Sequence, residues 1–168
     1  MAQPEPTHRD VRDAVQARLA AIVCGLDGRN FTPDAVPMYV VFPEAPVAEE
    51  SFRTVYGLRP SQRFSRVGVP DPCFITVDQG FTLACWRRLE SASENPHDGG
   101  PDRWDMAADM ADDIEAQIAQ DMSFEGKAAH LLDHTITTDF ERFTPTWAIA
   151  EISFVVRYRK RRPGIHGS

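Results

Sequence analysis

The stretch that most restricts what this chain can fold into is WAIAEISFVVRYRKRRP, Trp147 to Pro163. Ala148, Ala150, Ile152, Phe154, Val156 and Tyr158 fall on one parity, against Trp147, Ile149, Glu151, Ser153, Val155 and Arg157 on the other. Side chains of a strand point to opposite faces with period two, so the spacing predicts a long β-strand with the first set on the core face. The run then turns basic through Arg157, Arg159, Lys160, Arg161 and Arg162, in a chain whose formal net charge is −7. The question is what a positive strand end does in an acidic protein.

The rest of the chain supplies partners for that strand. From Asp10 onward, Val11, Ala14, Val15, Leu19, Ile22 and Val23 recur at helical spacing, opposite Arg12, Asp13, Gln16 and Arg18, and Gly25 with LDGRN ends the helix. Met38 to Phe42, bracketed by Pro37 and Pro43, reads as a strand buried on both faces. SFRTVYGL and RFSRVGV read as a hairpin turning through RPSQ, and CFITV as a further short strand. FTLACWRRLE alternates, with Phe81, Leu83, Cys85 and Leu89 facing the core. SASENPHDGGPD is dense in turn formers and predicts an exposed loop. A second helix follows from Asp102, its cap, to Gln120, with Trp104, Ala107, Ala111, Ile114 and Ile118 as its apolar stripe. HTITTDF places His134, Ile136, Thr138 and Phe140 on one face of the penultimate strand.

This order predicts an α+β domain, with two main helices packed on one side of a mostly antiparallel sheet. With 168 residues, 42% of them hydrophobic, one core is expected. Residues 1–168 then form a single domain, with 1–9 as an amino-terminal arm, 43–80 as an extended hairpin or loop insertion, and 159–168 as a basic tail. Cys24, Cys73 and Cys85 are odd in number, widely spaced and near apolar stretches, which predicts reduced, buried thiols. MAQPEPTHRD lacks the apolar core of a secretion signal, and no run approaches the ~20 apolar residues that span a bilayer, so a cytosolic chain with no membrane partner is expected.

Chemistry-bearing motifs are sparse. Asp105, Asp109 and Asp112 lie at helical spacing in DMAADMADDIEAQIAQD, but one helix does not surround a hard cation, and a solvated face is the expectation. His130 and His134 are four apart with Leu131 where a metalloprotease glutamate would stand. Cys85 precedes Trp86 and two arginines, which would favour a thiolate, yet it falls on the apolar parity of its strand and reads as structural. No catalytic residue, metal or cofactor is expected. Trp86 and Trp147 share the less apolar parity of their strands with Arg88, Arg157 and Glu151. Either a helix or loop covers this face with arginine stems over the rings, or the face meets another protein chain.

The series VRDAVQARLAAI, VPMYVVFP, a middle strand, ADDIEAQIAQD and a final hairpin ending AIAEISFVVRYRKR resembles the tail terminator (tail completion) proteins of tailed bacteriophages over about residues 9 to 162. The resemblance implies a small α+β subunit forming a sixfold ring on the head-proximal end of the tail tube. Its implied partners are its own copies, the tail tube protein and a neck or head-completion protein, and its implied place is the virion after assembly in host cytoplasm. The stretch from Pro43 to Gly80 is longer and richer in proline than in short members of such families; a larger hairpin, an interface arm or a different neck protein would account for it. On this reading Arg157, Arg159, Lys160, Arg161 and Arg162 face a partner or non-specifically contacted DNA, with Trp86, Arg88 and Trp147 at interfaces. The competing expectations are a solvated carboxyl tail, a small nucleic-acid-binding module, and a small-molecule-binding or enzymatic α+β domain with a pocket between the second helix and the sheet.

Overall fold

A computed structural model describes residues 5–46, 51–67, 73–89, 100–121, 123–124, 126, 130–137 and 146–162. Helix α1 (His8–Ala20) is followed by strands β1 (Thr54–Val67) and β2 (Phe74–Arg88), helix α2 (Gly100–Gln120), and strands β3 (His130–Thr137) and β4 (Trp147–Arg161). The strands form one sheet in the order β1-β2-β4-β3, each neighbouring pair antiparallel. β4 therefore lies between β2 and β3, which run the same way and are joined through α2. The fold is α+β, as the sequence predicts.

All six residues on the predicted core parity of β4 are buried. They face Val77, Phe81, Leu83 and Cys85 of β2, and the Phe81 and Phe154 rings stack at 5.4 Å. α1 and α2 pack against each other, α1 also against β1, and α2 against β2 and β4. α1 starts two residues before Asp10, because Thr7 and Asp10 form a capping box: the Thr7 hydroxyl accepts from the Asp10 amide and the Asp10 carboxylate from the Thr7 amide. Its buried stripe is Val11, Ala14, Val15 and Leu19; Ile22 is buried just beyond the helix, whereas Val23 is exposed. α2 begins at Gly100, so Asp102 lies inside its first turn rather than ahead of it. Its buried stripe runs through Ala107, Met110, Ala111, Ile114 and Ile118; Trp104, at the flank of that arc, is 46% exposed.

The largest departures from expectation lie between Met38 and Gly80. RPSQ is not a turn: β1 runs straight through it, with a bulge between Pro60 and Arg63. Tyr56 and Leu58 send their amides away from β2, to the carbonyls of Ala35 and Pro37. Pro60 shares their parity, so the donor it lacks would have pointed outward and the β1–β2 ladder loses nothing. CFITV and FTLACWRR are one strand, because Asp78 and Gln79, which break the apolar pattern, find polar partners within the sheet. Met38 to Phe42 forms no strand. Residues 34–39 instead line the outer edge of β1 through isolated parallel bridges, and Val40 is 91% exposed. That lining occupies edge groups that would otherwise be open to another chain.

Only Cys85 is a buried cysteine; Cys24 and Cys73 are exposed, and none is in a disulfide. The carboxyl run is no loose tail as far as Arg161: Arg159, Lys160 and Arg161 belong to β4 and pair with Thr76, Ile75 and Phe74. Thr138, Phe140 and most of the SASENPHDGGPD loop lie outside the described residues, as do residues 163–168. Among the described residues, no helix is long and apolar enough to cross a membrane.

Candidate interaction surface

Pairing register sorts the sheet into two faces. The helix-bearing face carries Tyr56, Leu58, Val77, Phe81, Leu83 and the core parity of β4. The opposite face carries, in order along β2, Phe74, Thr76, Asp78, Gly80, Thr82, Ala84, Trp86 and Arg88, matched on β4 by Arg161, Arg159, Arg157, Val155, Ser153, Glu151, Ile149 and Trp147. Asp78 and Arg88 are ten residues apart, about 33 Å along an extended strand, so this face has two well-separated ends.

At the Arg88 end the face is aromatic and covered. Tyr39 and Phe42 meet the Trp86 ring edge-on, with centroids 6.1 and 6.0 Å away. Gly57 makes this approach possible: a Cβ there would lie 2.6 Å from Trp86 and 2.7 Å from Tyr39. Trp86 is 2% exposed and Trp147 6%, and the Arg88 guanidinium lies 5.1 Å from the Trp147 ring centroid. Both tryptophans are thus buried within the chain's own fold, not open on the sheet face where the sequence places them. The segment from 39 to 42 covers Trp86, and the Arg88 guanidinium lies over Trp147.

At the Asp78 end the face is cationic: Arg66, Arg159 and Arg161 are exposed, and Asp78 is buried beneath its arginine partners. The Arg157 Nε and Nη2 donate to the two Asp78 carboxylate oxygens at 2.6 and 2.8 Å, and the Arg66 Nη2 donates to Oδ2 at 3.0 Å. These bonds, the Arg157 bond foremost, hold the Asp78 carboxyl below its ordinary value against the opposite pull of burial. Arg159 lies over the Phe74 ring at 4.6 Å, and Phe64 on β1 is 62% exposed. Arg161 is steered by Glu5, whose carboxylate accepts from the Arg161 amide at 2.6 Å and lies 3.4 Å from its Nε.

Of the predicted site residues, Arg157, Arg159 and Arg161 are therefore brought together. Lys160 points to the helix-bearing side; Arg162 follows the strand, its amide donating to the Cys73 carbonyl at 2.8 Å. Arg88, Trp86 and Trp147 belong to the other end. Arg66, Asp78, Phe64 and Phe74 join Arg157, Arg159 and Arg161, four residues that the sequence does not single out: two lie in the expected hairpin, one in the expected short strand CFITV and Asp78 just after it. The alternation from Phe74 to Arg88, read as one strand, is a signal for Phe74 and Asp78; Arg66 and Phe64 join them only through the β1–β2 register.

The acidic helix also divides in two. Asp113 is buried and accepts from the backbone amides of Asn30 and Phe31 at 2.8 Å each and from the Asn30 side chain at 3.0 Å, tying the loop after α1 to α2. Asp105 and Asp112 are exposed and Asp109 is half-buried, on the side of α2 away from the sheet. Burial, then the nearby carboxylates of Asp113, Asp112 and Asp105, pushes the Asp109 carboxyl above its ordinary value. Among the described residues, no group of three His, Cys, Asp or Glu side chains is arranged to hold a metal ion. Burial pushes the Cys85 thiol up, so it stays protonated and is a poor nucleophile.

No family model matches the chain, and no curated protein is found similar to it.

Proposed function

We propose that this chain is a structural subunit of a tailed-phage virion, a tail terminator whose copies close as a ring on the head-proximal end of the tail tube. The ring stops tube growth and offers its other side to the neck or head-completion protein; the subunit is not an enzyme and uses no cofactor. One observation carries this reading. The sheet is two-sided, with helices on one face and a rigid arginine-rich end on the other, so each copy offers two different surfaces. Contacts between unlike surfaces propagate head to tail and close into rings when the rotation allows. The β4 arginines also lie on a strand stiff enough to face a neighbouring ring or the DNA that passes through it, where phosphate attraction needs no base recognition.

The test is the chain's mass by light scattering across a concentration series, with negative-stain images of the same fractions, alongside tail lengths in particles that lack the gene. Rings of about six copies and tails of uncontrolled length, or heads left unjoined, support the reading. Normal virions without the gene would sink it.

A second reading, a small nucleic-acid-binding module, is favoured by Arg159 on Phe74 and by Phe64, exposed farther along the same face. The net charge of −7 weighs against it. It predicts salt-sensitive binding of short DNA by the isolated monomer.

A further inference from the structure

Two exposed surfaces of this chain are complementary in charge and lie on opposite sides of the molecule. The first is the Asp78 end of the helix-free sheet face, where Arg157 and Arg66 pair with Asp78, Arg161 pairs with Glu5 and Arg159 lies over Phe74, so that the arginines outnumber the carboxylates, with Phe64 exposed on the same face. The second is the outer side of α2. There Asp105, Asp109 and Asp112 form one line, 100° per residue placing them within about a quarter turn of one another. Ala108, Ala116 and Ala119 lie along the same side, and the half-exposed Trp104 flanks it. Among the described residues, no Lys or Arg lies within ion-pair distance of Asp105, Asp109 or Asp112.

We infer that the cationic sheet end of one copy docks on the acidic outer side of α2 of a second copy. The inference rests on the ring reading above and names its protomer contact. The helices lie between the sheet and the acidic line, so one copy cannot satisfy its own arginines with its own α2. The contact is therefore heterologous: every copy keeps one free surface of each kind until a ring closes. Arginine and aromatic side chains are favoured at such interfaces, and a cation surface facing a carboxylate line fixes register and speeds encounter. The chain's own acidity then needs no outside explanation, since the positive end meets a surface that every copy carries.

The experiment uses the full chain and three variants: Arg159→Glu with Arg161→Glu; Asp105→Arg with Asp112→Arg; and all four substitutions together. These side chains are exposed apart from half-exposed stems, and matching thermal melts establish that the variants fold. The wild type is expected to self-associate, less so as salt rises from about 0.1 M to about 1 M and the Debye length falls from about 10 Å to about 3 Å. Each two-site variant alone should associate at least about tenfold more weakly, while an equimolar mixture of the two, and the four-site variant, should recover most of the loss. Iodide quenching of Trp104 should fall on association in the wild type and in the mixture.

If the wild type forms rings and both two-site variants form them equally well, the contact is wrong while the ring reading stands. If the variants weaken but neither the mixture nor the four-site variant recovers, the two surfaces do not face each other and the inference is overturned. A wild type that stays monomeric while binding short duplex DNA through Arg159 and Arg161 also overturns it, and assigns the surface to nucleic acid. Tail length in gene-deleted particles tests the ring reading separately.

Discussion

The two ends of the helix-free sheet face use the same alternation for opposite purposes. At one end Trp86 and Ile149 sit on the parity that looks polar from sequence, yet Tyr39 and Phe42 fold over Trp86 and make it core. At the other, Asp78 and Arg157 occupy the same parity, among the described residues no aromatic segment folds over them, and the face stays charged. What differs is the cover, supplied by a segment more than forty residues earlier in sequence than Trp86. Exposure of a sheet face is thus decided by what the rest of the chain lays across it, and a bare remainder marks a surface available to something else.

The sharpest way to break this contrast is Trp86→Ala. Removing a fully buried ring should cost about 3–5 kcal/mol and lower the urea midpoint accordingly. A loss below about 1 kcal/mol would mean that the aromatic end is not core. Gly57→Ala comes next: a Cβ driven into Trp86 and Tyr39 should cost about 1–3 kcal/mol, read in the same unfolding curves. At the charged end, Arg157→Ala leaves a partly buried carboxylate with only Arg66, and should cost about 1–3 kcal/mol at neutral pH. Arg159→Ala, by contrast, should stay within about 0.5 kcal/mol, since Arg159 lies on the surface and its effect belongs to association.

Acid titration separates the two carboxylates that matter. The folded value of Asp78 is below its unfolded one, so its stabilisation is complete above the ordinary carboxylate range and is lost as pH falls through the folded value. Asp109 is raised, so its ionisation opposes folding at neutral pH, and that opposition is relieved as pH falls into the carboxylate range. Stability should therefore first rise slightly and then fall on acidification. Asp109→Asn should abolish the rise and Arg157→Ala should flatten the fall, both seen by chemical denaturation at a series of pH values.

The core parity of β4, the α1 stripe and most of the α2 stripe were legible because each depends on short-range periodicity. Val23 and Trp104 were misplaced at the ends and flanks of those stripes, where one residue's rotation moves a side chain from core to solvent. Met38 to Phe42 was misread because an apolar run between prolines has the same composition as a strand and as a folded cover. Val40 points to solvent, whereas Tyr39 and Phe42 grip Trp86. Pro60 looked like a turn because its tolerance in β1 depends on which edge of the strand is unpaired at that point.

By itself, then, the sequence determined the fold class, the buried side of α1, α2 and β4 and the positive end of the last strand, since local spacing and charge are properties of neighbouring residues. Tertiary structure alone decided that β1 and β2 are long, that Trp86 and Trp147 are core, and that Arg66, Arg157, Arg159 and Arg161 share one surface. Those outcomes follow from strand register and from the distant segments that cover a face, and residues far apart along the chain set both.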